Sequence, residues 1–140
     1  MKAVVRLLLC LVMVSSAHGS EAQWFYVGKS KNFVAFIDLS SKRRQGDIVA
    51  ARNVFNYKKL TTTEDGLQKY RSVLGYSLYD CELNRSSIIS IQFYDENFAR
   101  GDRVNFYSFK NAQWRDIQEN SIQSSVFEAA CNAVPEVEVF

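Results

Sequence analysis

The chain has 140 residues, 47% of them apolar and 14% aromatic, and its formal net charge is only +2. This length predicts a single domain with one hydrophobic core. A charge so close to neutral excludes strong attraction of the whole protein to nucleic acid or to a membrane surface.

The first residues have the pattern of a secretory signal peptide. Lys2 and Arg6 give a charged start, residues 4–14 are almost wholly apolar, and small residues lead up to Gly19. The apolar run is shorter than the ~20 residues that a membrane-spanning helix needs. A buried N-terminal helix is the alternative, but it would require a helical periodicity that this run lacks.

We therefore expect residues 1–19 to be cleaved and residues 20–140 to form one β-rich domain, with 132–140 as a tail. Lys2 and Arg6 lie in the cleaved part, so the 17 basic residues fall to 15 and equal the 15 acidic ones. The mature domain is expected in the periplasm or at the surface of a Gram-negative bacterium, with no integral membrane segment after cleavage and no nucleic-acid partner.

Cleavage also limits the chemistry that remains. His18, the single histidine, is removed, so the mature chain has none for a Ser-His-Asp or Cys-His arrangement. Cys10 lies inside the apolar run rather than at its end, so we expect no lipoprotein cysteine. Cys81 and Cys131 remain, and a pair in an oxidising compartment is most simply a disulfide. Two free buried thiols are the alternative.

The first hundred or so residues of the mature chain read mostly as strands. Residues 61–66 form the clearest loop, and Gly46-Asp47 is a predicted turn. The runs that favour strands are rich in aromatic and β-branched residues, and they span 24–27, 33–37, 48–57, 70–83, 88–94 and 103–109.

One helix is predicted near the C-terminus. Ser121 can cap it, and Ser125 with Glu128 forms a rival capping box. The helix should end near Asn132, before Pro135. Its apolar residues recur at helical spacing: Ile122, Val126, Ala129 and Ala130. The predicted fold is α+β, an antiparallel sheet of five or six strands with a C-terminal helix packed on one face.

Residue patterns for catalysis or cofactor binding are lacking in the sequence. The glycines form no phosphate-binding loop, and the spacing of acidic residues predicts no metal site. A paired-carboxylate hydrolase would have to use the acidic residues that lie close together: Asp80, Glu82, Asp95 and Glu96. Solvated carboxylates at strand ends are the favoured interpretation, so we expect neither an enzyme nor a cofactor.

Basic residues are concentrated in the first half of the mature chain, at Lys42, Arg43, Arg44, Lys58 and Lys59. With neighbouring aromatic residues they could contact an acidic macromolecule or a polysaccharide. The favoured alternative is that they are solvated loop charges. Association of basic and acidic faces between copies of the chain is a third interpretation.

Several short motifs together resemble bacterial surface-adhesin protein E and its relatives. The similarity runs from about residue 24 to Cys131. In chain order the motifs are Lys69-Tyr70-Arg71-Ser72, Tyr79-Asp80-Cys81, Phe93-Tyr94-Asp95 followed by Gly101, then Trp114, Ile117 and Cys131.

This resemblance implies an antiparallel sheet with a C-terminal helix, a Cys81–Cys131 disulfide and, as an option, a homodimer. It also implies a non-catalytic role in cell adhesion and virulence, by binding a host matrix or serum protein of the vitronectin or laminin class. The founding adhesins are lipoproteins, whereas no cysteine ends the signal segment here. A periplasmic inhibitor or envelope accessory protein is the alternative function.

The strand around residues 69–85 suits a protein contact, because it combines aromatic area with charge. The predicted binding residues are Lys69, Tyr70, Arg71, Tyr76, Tyr79 and Arg85. The alternative is that the tyrosines belong to the core and only the charged residues are exposed.

The signal pattern makes a first prediction. The mature protein should begin between His18 and Gln23 and carry no lipid, because the small residues near Gly19 suit a signal peptidase and Cys10 is misplaced for acylation. Intact mass analysis of the purified native protein checks this. An acylated cysteine or a retained Met1 would contradict it.

Overall fold

The computed structural model describes residues 21–133, so the predicted signal peptide, with Cys10 and His18, and the tail after residue 133 lie outside the described residues. The described elements follow one another as β1 (Trp24–Lys29), β2 (Phe33–Gln45), β3 (Ile48–Thr62), β4 (Lys69–Asp80), β5 (Arg85–Tyr94), a 3₁₀ turn (Asn97–Ala99), β6 (Arg103–Ser108), β7 (Arg115–Asp116) and α1 (Ile122–Cys131).

The strands form one antiparallel sheet in which each long strand pairs with its neighbours in sequence, from β1 to β6. β7 pairs with the start of β5, where Ser86 lies opposite Arg115. The α+β prediction is confirmed, with six long strands and a seventh of 2 residues. That seventh strand is too short to leave an alternating pattern in the sequence.

The turn between β2 and β3 shows how sequence sets the register. Gln45 pairs with Ile48, which leaves the predicted two-residue turn of Gly46 and Asp47. Gly46 has a φ of 60°, the left-handed conformation that glycine adopts without steric cost. β2 extends to Gln45 through a polar stretch, because the pairing resumes beyond a bulge, at Arg43 opposite Ala50.

Helix α1 packs on one face of the sheet, over the half that carries the β2–β3 turn. Side chains on a strand alternate between faces, so Ile37, Val49 and Tyr79 point to the helix together. The helix contributes three buried residues to this core, Val126, Phe127 and Ala130. The rings of Tyr79 and Phe127 meet edge to face with centroids 6.2 Å apart.

Ser121 is the N-cap of the helix. Its Oγ accepts a hydrogen bond from the Ser124 backbone N–H at 3.0 Å, and the Ser124 Oγ accepts one from the Ser121 N–H at 3.2 Å. This reciprocal capping box selects the first of the two predicted caps over Ser125 with Glu128.

The helix ends at the predicted disulfide, which is confirmed. Cys81, directly after β4, is bonded to Cys131 in the last turn, with Cα atoms 5.6 Å apart. The bond closes a loop across a sequence separation of 50 residues. It therefore ties the last element of the fold to the middle of the sheet.

A buried carboxylate in β2 joins this strand to β3 and to Gln23, directly before β1. Asp38 is fully buried, and its Oδ1 accepts hydrogen bonds from the Gln23 N–H at 2.9 Å and the Ser40 Oγ at 2.6 Å. Its Oδ2 pairs with the Arg52 guanidinium. Burial opposes ionisation of Asp38, but the hydrogen bonds from Ser40 and Gln23 and the Arg52 charge outweigh it and lower the pKa.

The disulfide makes a prediction for stability. Cys131→Ser should lower the free energy of unfolding by about 2–5 kcal/mol, since the link restricts the unfolded chain. Denaturant titration of the variant and the parent measures the difference. Cys81→Ser combined with Cys131→Ser should match the single variant. An unchanged unfolding midpoint after reduction of the parent would contradict the prediction.

Asp38 makes a prediction for pH. Its folded pKa lies below the unfolded value of about 3.9, so its stabilising effect is complete above about pH 5 and is lost as the pH falls through the folded pKa. Asp38→Asn should reduce the free energy of unfolding at pH 7 by about 2 kcal/mol and flatten its loss below pH 5.

Chemical denaturation between pH 2 and 7 tests this prediction. A weaker acid dependence should remain in the variant, because hydrogen bonds from Thr63 and from the Leu83 N–H lower the pKa values of Asp65 and Asp80. The exposed Glu119→Gln variant is the charge-matched control and should stay within about 0.5 kcal/mol of the parent. Equal acid profiles for Asp38→Asn and the parent would contradict the assignment.

Candidate binding surface

The predicted binding residues begin at the start of β4, where two of them are exposed cations. Lys69 and Arg71 are exposed on either side of Tyr70, which is only 8% exposed. The Tyr70 ring meets the rings of Tyr57 and Phe93, with centroids 5.2 and 4.9 Å away. Burial, with smaller effects from Tyr57, raises the pKa of Tyr70 to about 12. Tyr70 therefore supports the strand, and Lys69 and Arg71 present charge to solvent.

The next two predicted residues lie on opposite faces of β4. Tyr76 is 37% exposed, whereas Tyr79 is 2% exposed in the core under the helix. Burial raises the pKa of Tyr79 well above its usual range. A direct binding role does not fit the position of Tyr79, because the helix covers its ring. The alternative considered from the sequence, a core tyrosine, describes this residue.

Arg85 lies at the other end of the sheet. Its Nε donates to Asp80 Oδ2 at 3.0 Å, and its guanidinium carbon lies 4.9 Å from the centroid of the Trp114 ring. Asp80 is the last residue of β4, so the length of this strand, roughly 35 Å, separates Arg85 from Lys69. The six predicted residues therefore do not form one continuous site.

Strand pairing brings other cations to the end of the sheet that holds Lys69. Thr62 of β3 pairs with Lys69, which places Lys58 and Lys59 close by in β3. The Lys58 Nζ donates to the Ser30 carbonyl at 2.9 Å and so reaches the β1–β2 turn. We call this cluster the basic end of the sheet, and it comprises Lys31, Lys58, Lys59, Lys69 and Arg71.

A shallow cavity of about 380 Å³ opens at the basic end, lined by Lys31, Asn32, Tyr57, Lys58, Lys59 and Thr61. Aromatic rings continue from it across the sheet. Phe33 lies 5.5 Å from Tyr57 between centroids, and Phe93 lies 6.0 Å from the half-exposed Tyr107. Sequence reasoning missed Lys31 and Tyr57 and kept Lys58 and Lys59 apart from Lys69, because only the strand register shows that they meet.

The other basic segment predicted from the sequence is used within the fold. The Lys42 Nζ donates to the carbonyl oxygens of Ala129 and Asn132 at 3.0 and 2.9 Å. Arg44 donates to the Cys131 carbonyl at 3.2 Å. These cations satisfy the last carbonyl groups of α1 and oppose the negative end of its dipole. The solvated-charge interpretation therefore holds only in part, since two of the three charges cap a helix.

Asp80, one of the acidic residues considered for hydrolysis, is engaged in hydrogen bonds within the fold. Asp80 Oδ1 accepts from the Leu83 N–H at 3.0 Å, and Arg85 binds its other oxygen. These bonds lower the pKa of the Asp80 carboxyl, so the group stays ionised and is a poor general acid. Among residues 21–133 no three metal-ligating side chains lie close enough to hold an ion.

Comparison with known proteins agrees with this architecture. A sequence profile described as surface-adhesin protein E matches residues 24–132. The chain belongs to the surface-adhesin protein E family. This result confirms the resemblance drawn from the motifs between residues 69 and 131. Curated protein sequences give no significant match.

Solved structures of protein E from Haemophilus influenzae share the fold of this family member. A crystal structure from a non-typeable strain superimposes with a TM-score of 0.56 at 20% identity, covering 81% of this chain and 79% of that chain. A second crystal form gives 0.57 at 21% identity, with 76% and 86% coverage. In the described part of the present chain, α1 is too short to cross a membrane.

Proposed function

We propose that this chain is an exported, non-catalytic adhesin domain that binds a host extracellular-matrix or serum protein through the basic end of its sheet. The observation that carries the proposal is the convergence of five cations from three parts of the chain beside exposed aromatic area. Membership of the surface-adhesin family supports a binding role.

The chemistry of the basic end suits a protein partner with acidic side chains. Four of its cations are exposed: Lys31, Lys59, Lys69 and Arg71. The adjoining loop carries only two acidic residues, Glu64 and Asp65, so positive charge is in excess. Asp65 is also engaged by the Thr63 hydroxyl and the Leu67 N–H. Complementary charge raises the association rate, and neighbouring aromatic surface adds contact area.

Tyr76 and Arg85 lie on parts of the surface away from the basic end of the sheet. Tyr76 is exposed in the middle of β4, and Arg85 is held by Asp80 and Trp114. We therefore assign primary contact to Lys69 and Arg71, and we propose Tyr76 as a peripheral contact. The vitronectin or laminin class of partner follows from the family alone, so both proteins serve as probes in the test.

Binding of the mature domain to immobilised vitronectin and laminin tests the proposal. Lys69→Ala with Arg71→Ala should weaken binding at least tenfold while leaving the unfolding midpoint almost unchanged, because exposed substitutions cost within about 0.5 kcal/mol. Raising the salt concentration from about 50 to about 500 mM should also weaken binding, since salt screens exposed charges.

Lys110→Ala with Arg115→Ala removes the same charge elsewhere on the surface and is the matched control, which should bind like the parent. Arg43 and Arg44 are unsuitable for this purpose, because Arg44 caps the helix. Equal losses in the two double variants would show non-specific attraction. If neither probe binds at micromolar concentration, the adhesin proposal gives way to a periplasmic inhibitor or accessory protein.

A further inference from the structure

The face of the sheet opposite the helix is crossed by an irregular segment, residues 95–101. Two buried polar side chains hold this segment. Asn56 Oδ1 accepts from the Phe98 N–H at 2.7 Å. The Ser72 Oγ accepts from the Ala99 N–H at 3.0 Å and donates to the Glu96 carbonyl at 2.5 Å. Asn56 is 7% exposed and Ser72 is fully buried, so these anchors lie beneath the segment.

The anchored segment keeps Phe98 in an unfavourable backbone conformation. Phe98 has a φ of 58° and a ψ of 36°, and Ala99 has a φ of 54°. Left-handed geometry is sterically unfavourable for a residue other than glycine, and such strain persists where the surrounding structure enforces it. The result is that the Phe98 ring is held over β1 and β2 on the uncovered face.

Three aromatic rings pack on one another and line an open cavity at this position. The Phe98 ring centroid lies 6.2 Å from that of Trp24 with the planes tilted by 43°, and 5.0 Å from that of Phe36 with a tilt of 55°. All three side chains are half-buried and so retain accessible surface. The cavity has a volume of about 480 Å³, within the usual range for small-molecule sites, and Glu21, Ala22 and Arg100 complete its lining.

The charges at this cavity indicate what it binds. The faces of aromatic rings attract cations within about 6 Å of the centroid, and the best-known use is recognition of quaternary ammonium groups. Arg100 already places its guanidinium carbon 6.0 Å from the Phe98 centroid. Glu21 and Arg100 bring opposite charges to one cavity, which matches a zwitterionic ligand.

We propose that Trp24, Phe36 and Phe98 form a cage for a quaternary ammonium group that carries a neighbouring phosphate, as in phosphocholine. The ammonium group lies in the open cavity against the exposed surface of the three rings, and Arg100 turns from Phe98 to the phosphate. This site is on the face opposite the helix and does not depend on the proposed binding of a host protein.

The packing of other aromatic residues distinguishes this cage from core. Tyr79 and Phe127 pack under the helix with only 2% and 8% exposure, so solvent hardly reaches their rings. The rings of the cage instead line an open cavity, while hydrogen bonds to Asn56 and Ser72 hold the segment that carries Phe98. Rigid support for an incompletely filled aromatic site is the arrangement that ligand binding requires.

Fluorescence of Trp24 offers a direct test, in the Trp114→Phe background where Trp24 is the one tryptophan of the chain. Titration with phosphocholine should change the emission saturably, with a Kd of about 1 mM or below. Choline should bind more weakly, and phosphoethanolamine and inorganic phosphate weaker still, since neither offers a quaternary ammonium group. Saturation-transfer NMR should place the ligand methyl groups against aromatic protons.

Two variants separate the parts of the site. Phe98→Leu keeps an apolar side chain but removes the ring, and it should lower affinity for both phosphocholine and choline about tenfold. Arg100→Gln should weaken phosphocholine severalfold and leave choline unchanged or tighter. Tyr107→Leu, on the half-exposed aromatic residue of β6, is the control and should bind like the parent. Circular dichroism and thermal unfolding confirm that each variant is folded.

Vesicles distinguish the source of the headgroup. Binding to phosphatidylcholine vesicles but not to phosphatidylglycerol vesicles would assign the site to a lipid, and binding of free phosphocholine alone would assign it to a soluble or glycan-linked headgroup. The proposal is overturned if phosphocholine gives no saturable change, if phosphoethanolamine binds equally well, or if folded Phe98→Leu retains the affinity of the parent.

Discussion

The bond between Cys81 and Cys131 decides which part of the sheet the helix can cover. Cys81 follows β4 at the end of the sheet that carries the β2–β3 turn, so the last turn of α1 must lie there. The helix then packs its apolar stripe on Ile37 and Val49, and its first residue, Ile122, lies against Gly28 of β1. Lys42 strengthens this placement because it extends from β2 to the carbonyl groups at the helix end. One covalent link therefore divides the face into a covered core and an open half.

The open half of this face and the opposite face of the sheet present different side chains to solvent. On the open half, aromatic residues follow one another from Phe33 to Tyr107. The lysines lie where β1 and β3 end and where β2 and β4 begin. On the opposite face, where α1 does not pack, the segment 95–101 forms a partial cover through its bonds to Asn56 and Ser72. The two surfaces therefore differ in charge.

Sequence patterns predicted the regular parts of this molecule well, because those parts depend on local spacing. Ser121 marked the helix start, and the motifs around Tyr79 and Cys81 indicated the family and the disulfide. The binding surface was harder to predict, since the residue pattern of β4 alone could not show that Tyr79 belongs to the core or that Arg85 binds Asp80. No sequence pattern indicated the position of Phe98. Its position depends on anchors distant in the sequence and on a left-handed backbone conformation that residues other than glycine rarely adopt.

The order of strands also has a kinetic consequence. Every long strand pairs with the one that precedes it in the chain, so each hairpin can close as soon as its second strand emerges, at a small cost in loop entropy. The helix is the last described element, and Cys81 precedes its partner Cys131 by 50 residues in the sequence. This strand order favours assembly of the sheet before covalent closure, with Tyr79 and Val49 exposed to solvent until α1 packs on them. Attack of the Cys81 thiolate on a disulfide of another molecule during that interval would give a mixed disulfide, release a thiol and divert the chain, which makes packing of the final helix the step that completes folding.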